Sequence, residues 1–146
     1  MTIEADEELK QILKSCRTIA VVGCSPWPER AGNYVPQFLQ KQGFKIIPVN
    51  PGHEELLGER CYPSLKAIPV PVDMVDCFRR SEEMMPIVEE AIAIGAKVIW
   101  MQRGVINEAA AARAEASGLL VVMDRCIKVD YASLFFEPLY PDACSA

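Results

Sequence analysis

The sequence predicts a three-layer α/β fold around a five-stranded, mostly parallel sheet, and three observations lead to that prediction. The 146 residues have the length of one domain, and 51% apolar with 24% charged residues is an ordinary globular composition. Short apolar runs alternate along the chain with segments of helical periodicity. Such alternation is typical of a parallel sheet with right-handed crossovers and helices on both faces. We therefore expect residues 1–146 to form a single domain.

Five continuous apolar runs are the predicted strands. They are rich in β-branched residues and bounded by glycine or proline, as expected of strands buried on both faces of a parallel sheet. The runs lie at residues 18–23, 44–49, 72–78, 97–101 and 119–123.

The helices are predicted from apolar spacing and from glycines just past their ends. An opening amphipathic helix is indicated by an apolar face on Leu9, Ile12, Leu13 and Cys16. Three further helices, at residues 31–42, 81–94 and 107–117, are each followed at once by a glycine, which favours a left-handed C-cap. Asn107 is a good N-cap for the last of these, whereas Pro86 is expected to delay the start of the second by a turn.

Two segments fall outside this alternation. Residues 51–71 contain four prolines and a short helical signal at 64–68, and we interpret them as a long excursion between the second and third strands. The tail after Lys128 contains Pro138 and Pro141, and we expect it to pack over the edge of the domain or to fray.

Composition excludes several classes of function. A net charge of −5 argues against a surface devoted to nucleic acid or anionic membrane. A single histidine, His53, excludes multi-histidine metal sites, and no two of the six cysteines have the C-x-x-C spacing of zinc or redox motifs. The acidic start lacks the pattern of a signal peptide, and the longest apolar run, residues 91–101, is too short to span a bilayer. We therefore expect a cytoplasmic protein.

Charge is distributed unevenly between the predicted strand ends and the rest of the chain. In an open parallel sheet, ligands bind beyond the carboxyl ends of the strands. The five loops there carry three acids and six basic residues, so their net charge is +3 and the remainder carries −8. The basic residues are Arg30, Arg79, Arg80, Arg103, Arg125 and Lys128. This pattern favours an anionic ligand with phosphates, although these side chains could instead pair with local acids.

The loop after the first strand narrows the choice of nucleotide. A dinucleotide site requires G-x-G-x-x-G there and an acid after the second strand. Here Ser25 replaces the second glycine, and the second strand ends in Asn50-Pro51. NAD is disfavoured, but the following helix can still offer backbone amides to a phosphate. Trp27 and Tyr34 could stack on a base or simply cover the sheet.

Six motifs lie along the chain: V-V-G-x-S-P at 21–26, P-V-N-P at 48–51, L-G-E-R-C-Y-P-S-L at 57–65, P-V-D-x-V-D-x-F-R-R at 71–80, E-E-A-I-A-I-G-A-K-V-I-W-M-Q at 89–102 and M-D-R-C-I-K at 123–128. Together these motifs resemble those of the small stand-alone CoA-binding proteins. Those proteins are similar to the amino-terminal CoA-binding domain of the succinyl-CoA synthetase α subunit and of ADP-forming acyl-CoA synthetases. The resemblance covers about residues 10–135, which we take as the core of the domain.

The resemblance implies a Rossmann-like domain that holds coenzyme A across the carboxyl ends of its strands. It places Gly23, Ser25 and Pro26 at the phosphates, with Cys24 in the same loop, and Asn50 and Pro51 beside the adenosine. Phe78 and Arg79 are implied at the pantetheine or pyrophosphate, Gln102, Arg103 and Gly104 at the next turn, and Arg30 and Arg80 near phosphate charge. Two departures from the family pattern are Arg103, where an apolar residue is usual, and the Trp27-Pro28-Glu29 segment.

The resemblance also limits the expected activity. An acyl-CoA synthetase needs an ATP-grasp partner and a phosphorylated histidine on another domain, and His53 lies on the wrong element to replace it. We expect a protein that binds CoA or an acyl-CoA without catalysis, as a homodimer or beside an enzyme partner. Two alternatives remain: an enzyme acting on a CoA thioester through Ser25 or Cys24, and a thiol protein in which Cys24 or Cys126 forms a mixed disulfide with CoA. Ser25 lacks G-x-S-x-G flanks, and a triad with His53 is not favoured.

Overall fold

A five-stranded parallel sheet forms the centre of the molecule. The computed structural model describes residues 1–140. The sheet strands are β1 (Thr18–Val22), β2 (Lys45–Val49), β5 (Met74–Cys77), β6 (Val98–Met101) and β7 (Leu120–Val122), in the spatial order β2-β1-β5-β6-β7. Every pairing between them is parallel. The predicted α/β fold and its five strands are therefore confirmed, with boundaries within about two residues.

Helices cover both faces of the sheet. The helices α1 (Asp6–Ser15), α2 (Ala31–Lys41) and α5 (Ile127–Leu134) pack on one face, and α3 (Met84–Ala93) and α4 (Glu108–Ala116) pack on the other. A 3-10 turn at Ser81–Glu83 precedes α3, as expected from Pro86, and the Asn107 Oδ1 atom accepts the Ala110 N–H at 2.9 Å. None of the helices within residues 1–140 combines the length and apolar character needed to cross a bilayer.

The excursion and the tail contain structure that the sequence did not indicate. Residues 51–71 include a small antiparallel hairpin of β3 (Glu55–Leu56) and β4 (Glu59–Arg60) that was not predicted. The short helical signal at residues 64–68 corresponds to a 3-10 turn at Leu65–Ala67. The tail was expected to pack over an edge or fray, but it begins with α5, whose Ile127 and Tyr131 are buried against α1 and α2. The part of the tail from residue 141 onward, which includes Pro141, lies outside the described residues.

Strand order fixes where a ligand can enter. Chain order reverses at β1, because β2 lies on one side of it and β5 on the other. The crossover α2 therefore passes over one face, and the next connection passes over the opposite face. Such a switch point leaves a crevice at the carboxyl ends of the two strands.

Candidate functional site

An open cleft of about 810 Å³ lies at this switch point. The loops after β1, β2, β5 and β6 line it, together with the first turns of α2 and the residue before α5. Its volume falls within the range of about 300–1,000 Å³ typical of small-molecule and cofactor sites. A second cavity of about 430 Å³, which we call the hollow, adjoins it on the side of α3.

The cleft brings together ten of the thirteen residues named from the sequence. These are Gly23, Cys24, Ser25, Pro26, Arg30, Asn50, Phe78, Arg79, Gln102 and Arg103. Pro51 lines the hollow instead. Arg80 and Gly104 line neither of these two cavities. Arg80 lies exposed beside Glu82 and Glu83, and the Gly104 N–H donates at 2.7 Å to Oδ1 of Asp124, in the loop after β7.

Two glycines let the first loop pass close to its neighbours. Gly23 has a φ of +86°, and a Cβ there would lie 2.9 Å from the Arg79 Cδ atom and 3.1 Å from the Phe78 carbonyl carbon. A Cβ on Gly32, in the first turn of α2, would lie 2.8 Å from the Gly23 carbonyl oxygen. These contacts place the start of α2 directly against the end of β1. In that turn Asn33 and Tyr34 donate their N–H groups to the Arg30 carbonyl, whereas Ala31 and Gly32, whose N–H groups precede the first helical hydrogen bond, line the cleft beside Ser25.

Two asparagines hold the loop in shape. The Asn33 side chain donates to the Ser25 carbonyl at 2.8 Å, and the Asn50 side chain donates to the Cys24 carbonyl at 2.9 Å. The Ser25 hydroxyl accepts the Trp27 N–H at 3.1 Å. The amide of Asn50 therefore ties the loop after β2 to the loop after β1, a structural role that its position in the sequence did not indicate.

The lining of the cleft is cationic. It includes Arg30, Arg79, Arg103 and His53, and no carboxylate among the residues that the structure describes. Within residues 1–140, neither Arg30 nor Arg103 forms a salt bridge with an acid, whereas the Arg79 Nη2 atom lies 2.9 Å from Glu83 Oε1. Among the described residues, the cleft thus has two guanidinium groups without a salt bridge, those of Arg30 and Arg103, and a third, that of Arg79, which pairs with Glu83.

The charge count from the sequence is corrected in two places. Glu83 lies in the 3-10 turn after the counted loop, and it pairs with Arg79 and, at 3.7 Å, with Arg80. Arg125 points away from the site into a two-pronged contact with Asp130, at 2.8 and 2.9 Å. The loops are therefore less basic than +3 suggests: Arg30 and Arg103 lie in the cleft, whereas the Lys128 ammonium group lies over the rings of Tyr34 and Phe38.

Several lining residues were missed or left open. Trp27 and Tyr34 do line the cleft, with 59% and 44% of their surface exposed, so their rings are available to a ligand. His53, which was not named as a site residue, also borders it. Ala31, Gly32, Val35 and Val105 complete the walls. Tyr34 and Val35 lie three and four residues after Ala31, a helical spacing that could have placed them on the same face of α2.

Gln102 acts on α5 as well as on the cleft. Its side chain is buried, and its Oε1 atom accepts the Ile127 N–H, the first of that helix, at 3.2 Å. Because the group that caps α5 lies 25 positions upstream, the residues next to Ile127 contain no N-cap that would have predicted the helix. Cys126, which immediately precedes the helix, consequently lies at the cleft.

The two cleft thiols differ in accessibility. Burial, with a smaller effect from the neighbouring Cys61 thiol, raises the pKa of Cys24 to about 12, so this thiol stays protonated at neutral pH. A protonated, fully buried sulfur is a poor nucleophile, and Cys24 therefore does not favour the thioester-cleaving alternative. Cys126 is partly exposed and is the thiol that a ligand in the cleft can reach.

Known proteins resemble this chain over most of its length. A family model described as "CoA binding domain" matches residues 17–132. The uncharacterized protein YneT of Bacillus subtilis (strain 168) is 44% identical over 125 residues, which cover 86% of this chain and 93% of YneT. The solved structure of a hypothetical protein from Pyrococcus horikoshii OT3 has a TM-score of 0.88 at 40% identity, covering 92% of this chain and 96% of that one. An ADP-forming acetate–CoA ligase of Archaeoglobus fulgidus is 38% identical over 58 residues, which are 40% of this chain but 8% of the ligase.

Proposed function

The chain belongs to the CoA binding domain family, and we propose that it binds coenzyme A or an acyl-CoA in the cleft, without catalysis of its own. The observation that carries this proposal is a cleft at the switch point of the sheet that is lined by three arginines and a histidine and by no described carboxylate. CoA carries a pyrophosphate and a 3′-phosphate, and guanidinium groups bind phosphate oxygens through paired hydrogen bonds.

The fit of CoA to the cleft is supported by its volume and by the close glycine contacts. Gly32 lets the first turn of α2 lie against the end of β1, and the N-terminus of α2 favours the negative charge of a phosphate there. In the proposed arrangement Arg30 and Arg103 bind phosphates, while the exposed ring of Trp27 is available to the adenine. Asn50 and Pro51 border the adenosine end, and Phe78 borders the pantetheine.

The physiological role that we propose is that of a CoA carrier, a CoA sensor or the partner of an enzyme, with a second copy of the chain or an enzyme as its protein partner. We place the protein in a reducing cytoplasm, since all five cysteines among residues 1–140 are free thiols.

The direct test is thermal unfolding with increasing CoA. A ligand that binds only the folded state raises its stability by RT ln(1 + [L]/Kd), about 2.7 kcal/mol at 100 times Kd. For a chain of this size that corresponds to a rise in Tm of roughly 5–11 °C, and NAD is expected to give no comparable shift. No shift with millimolar CoA on ligand-free protein would overturn the proposal.

A pair of variants locates the site. Arg103→Ala removes an unpaired cleft arginine, and Arg113→Ala removes an arginine that pairs with Glu89 on the surface away from the cleft. We expect Arg103→Ala to weaken CoA binding several-fold while Arg113→Ala leaves it unchanged. Equal effects of the two variants would mean that CoA binds elsewhere or responds only to net charge.

The absence of catalysis is tested by thiol release. Acetyl-CoA and succinyl-CoA are incubated with the protein, and free CoA is measured with a thiol reagent against a protein-free blank. Release at the blank rate is expected. Release that grows with protein concentration would instead support the alternative of a thioester-cleaving enzyme.

A further inference from the structure

Two cavities of opposite charge share one wall at the switch point. The cleft has no described carboxylate in its lining, whereas the hollow is lined by Glu82, Glu83 and Glu90. Three residues contribute to both cavities: Gly23, Asn50 and Arg79. Of these only Arg79 is charged, so it stands between a site suited to anions and one that repels them.

Arg79 is held by a carboxylate on the side of the hollow. Its Cδ atom lies close to the backbone of Gly23, and its Nη2 atom donates to Glu83 Oε1 at 2.9 Å. Glu83 lines only the hollow, so this contact occupies part of the guanidinium away from the cleft. The hydrogen bond from Arg79, with that from the Arg80 N–H and the charges of both arginines, lowers the pKa of Glu83, which is therefore ionised at neutral pH.

Glu83 differs in this respect from its neighbour Glu82. Glu82 lies 3.6 Å from the Arg80 Nε atom, is 69% exposed and makes no salt bridge with Arg79. Both carboxylates sit in the same 3-10 turn and carry the same charge. A long-range electrostatic effect would be nearly equal for the two, whereas direct competition for Arg79 is open to Glu83 alone.

We propose that Glu83 sets the ligand affinity of the cleft by competing with the bound anion for the guanidinium of Arg79. A phosphate entering the cleft attracts Arg79, and the ion pair with Glu83 opposes that attraction by neutralising the guanidinium and holding it toward the hollow. The two partners lie at a partly exposed surface, where exchange of one anion for another requires only rotation of a side chain. Glu83 is thus a positioning residue, and this role rests on the proposed function of the cleft.

The decisive comparison is Glu83→Gln against Glu82→Gln. Glutamine keeps an oxygen that can accept the Arg80 N–H at the start of the turn, so the local structure is retained. The ligands are CoA and inorganic pyrophosphate, with pantetheine as the phosphate-free control. Binding is read by calorimetry and by the fluorescence of Trp27, which is exposed at the cleft, whereas Trp100 is fully buried.

We expect Glu83→Gln to lower Kd for CoA and pyrophosphate about two- to fivefold, the factor that corresponds to the usual strength of a partly exposed ion pair. Glu82→Gln is expected to change either Kd by less than about 1.5-fold, and pantetheine to bind both variants alike. In an Arg79→Gln background the effect of Glu83→Gln should disappear, because the guanidinium for which it competes is gone.

Each outcome bears on one proposal. An unchanged or raised Kd in Glu83→Gln, or an equal fall in Glu82→Gln, overturns the role of Glu83. If CoA does not bind the wild-type protein, the proposed function is wrong. The role of Glu83 is then tested by the Kd for pyrophosphate, compared between Glu83→Gln and Glu82→Gln. If pyrophosphate binds neither protein, no anion competes at this position, and the inference is rejected.

Discussion

The buried carboxyl of Asp76 should make the stability of the protein depend on pH in an unusual direction. Asp76 lies in the central strand β5, between Val21 of β1 and Trp100 of β6, and its side chain is fully buried. Neither carboxyl oxygen has a hydrogen-bond partner among residues 1–140; the Cys77 N–H attracts the carboxylate but lies outside hydrogen-bond geometry. Burial therefore raises the pKa of Asp76 well above its ordinary value of 3.8.

The sign of the effect follows from which state holds the proton. Above pH 3.8 the unfolded chain releases the Asp76 proton, while the folded protein keeps it until its raised pKa is reached. Ionisation then favours the unfolded state, and the free energy of unfolding falls by about 1.4 kcal/mol per pH unit across that interval. Each pH unit within it corresponds to roughly 3–6 °C in Tm for a chain of this size.

Asp76→Asn isolates this contribution, since asparagine has nearly the same shape and no proton to release. Urea unfolding of both proteins between pH 4.5 and 7.5 gives the difference in unfolding free energy at each pH. We expect the variant to gain on the wild type as pH rises, with a slope approaching 1.4 kcal/mol per unit. The pKa values of the Cys16, Cys24 and Cys77 thiols are raised, chiefly by burial and for Cys24 and Cys77 also by the Asp76 charge, so these thiols titrate only above the pH range of this experiment. A difference that stays constant with pH would show that the folded protein does not hold this proton.

Two further predictions concern the cleft. Gly32→Ala places a Cβ 2.8 Å from the Gly23 carbonyl and should lower the unfolding free energy by about 1–3 kcal/mol and weaken CoA binding. The control Gly52→Ala meets only the Asn50 side chain, at 3.4 Å, and should change urea unfolding by less than about 0.5 kcal/mol; equal losses would contradict the close approach of α2 to β1. Peptide mapping after iodoacetamide should show Cys126 alkylated well before the buried Cys24, and saturating CoA should slow Cys126 at least severalfold. A rate of Cys126 alkylation that is the same with and without CoA would mean that the ligand binds away from this thiol.

Much of the fold could be predicted because its signals are local. Each strand of the five-stranded sheet lies in a predominantly apolar run, and each of the helices α2, α3 and α4 ends near a glycine that has positive φ in the structure. The helix α5, which the sequence did not predict, is followed by no glycine, and its first N–H is accepted by Gln102, 25 residues upstream. The hairpin of β3 and β4 was not predicted because each of its strands is two residues long, too short to show the alternation of apolar and polar residues that indicates a strand.

The candidate site, like the fold, could be predicted from the sequence only in part. Which residues follow each strand can be read from the chain alone, and this predicts that Gly23, Ser25, Arg79 and Arg103 lie together at one edge of the sheet. The contacts of these residues cannot be read in that way: Asn50 donates to the Cys24 carbonyl and so holds the first loop, and Glu83 pairs with Arg79. The difference lies in the range of the interactions. Backbone preferences and apolar periodicity act over a few neighbouring residues. Salt bridges, caps and burial instead depend on side chains that are distant in sequence and come into contact only once the strands have paired.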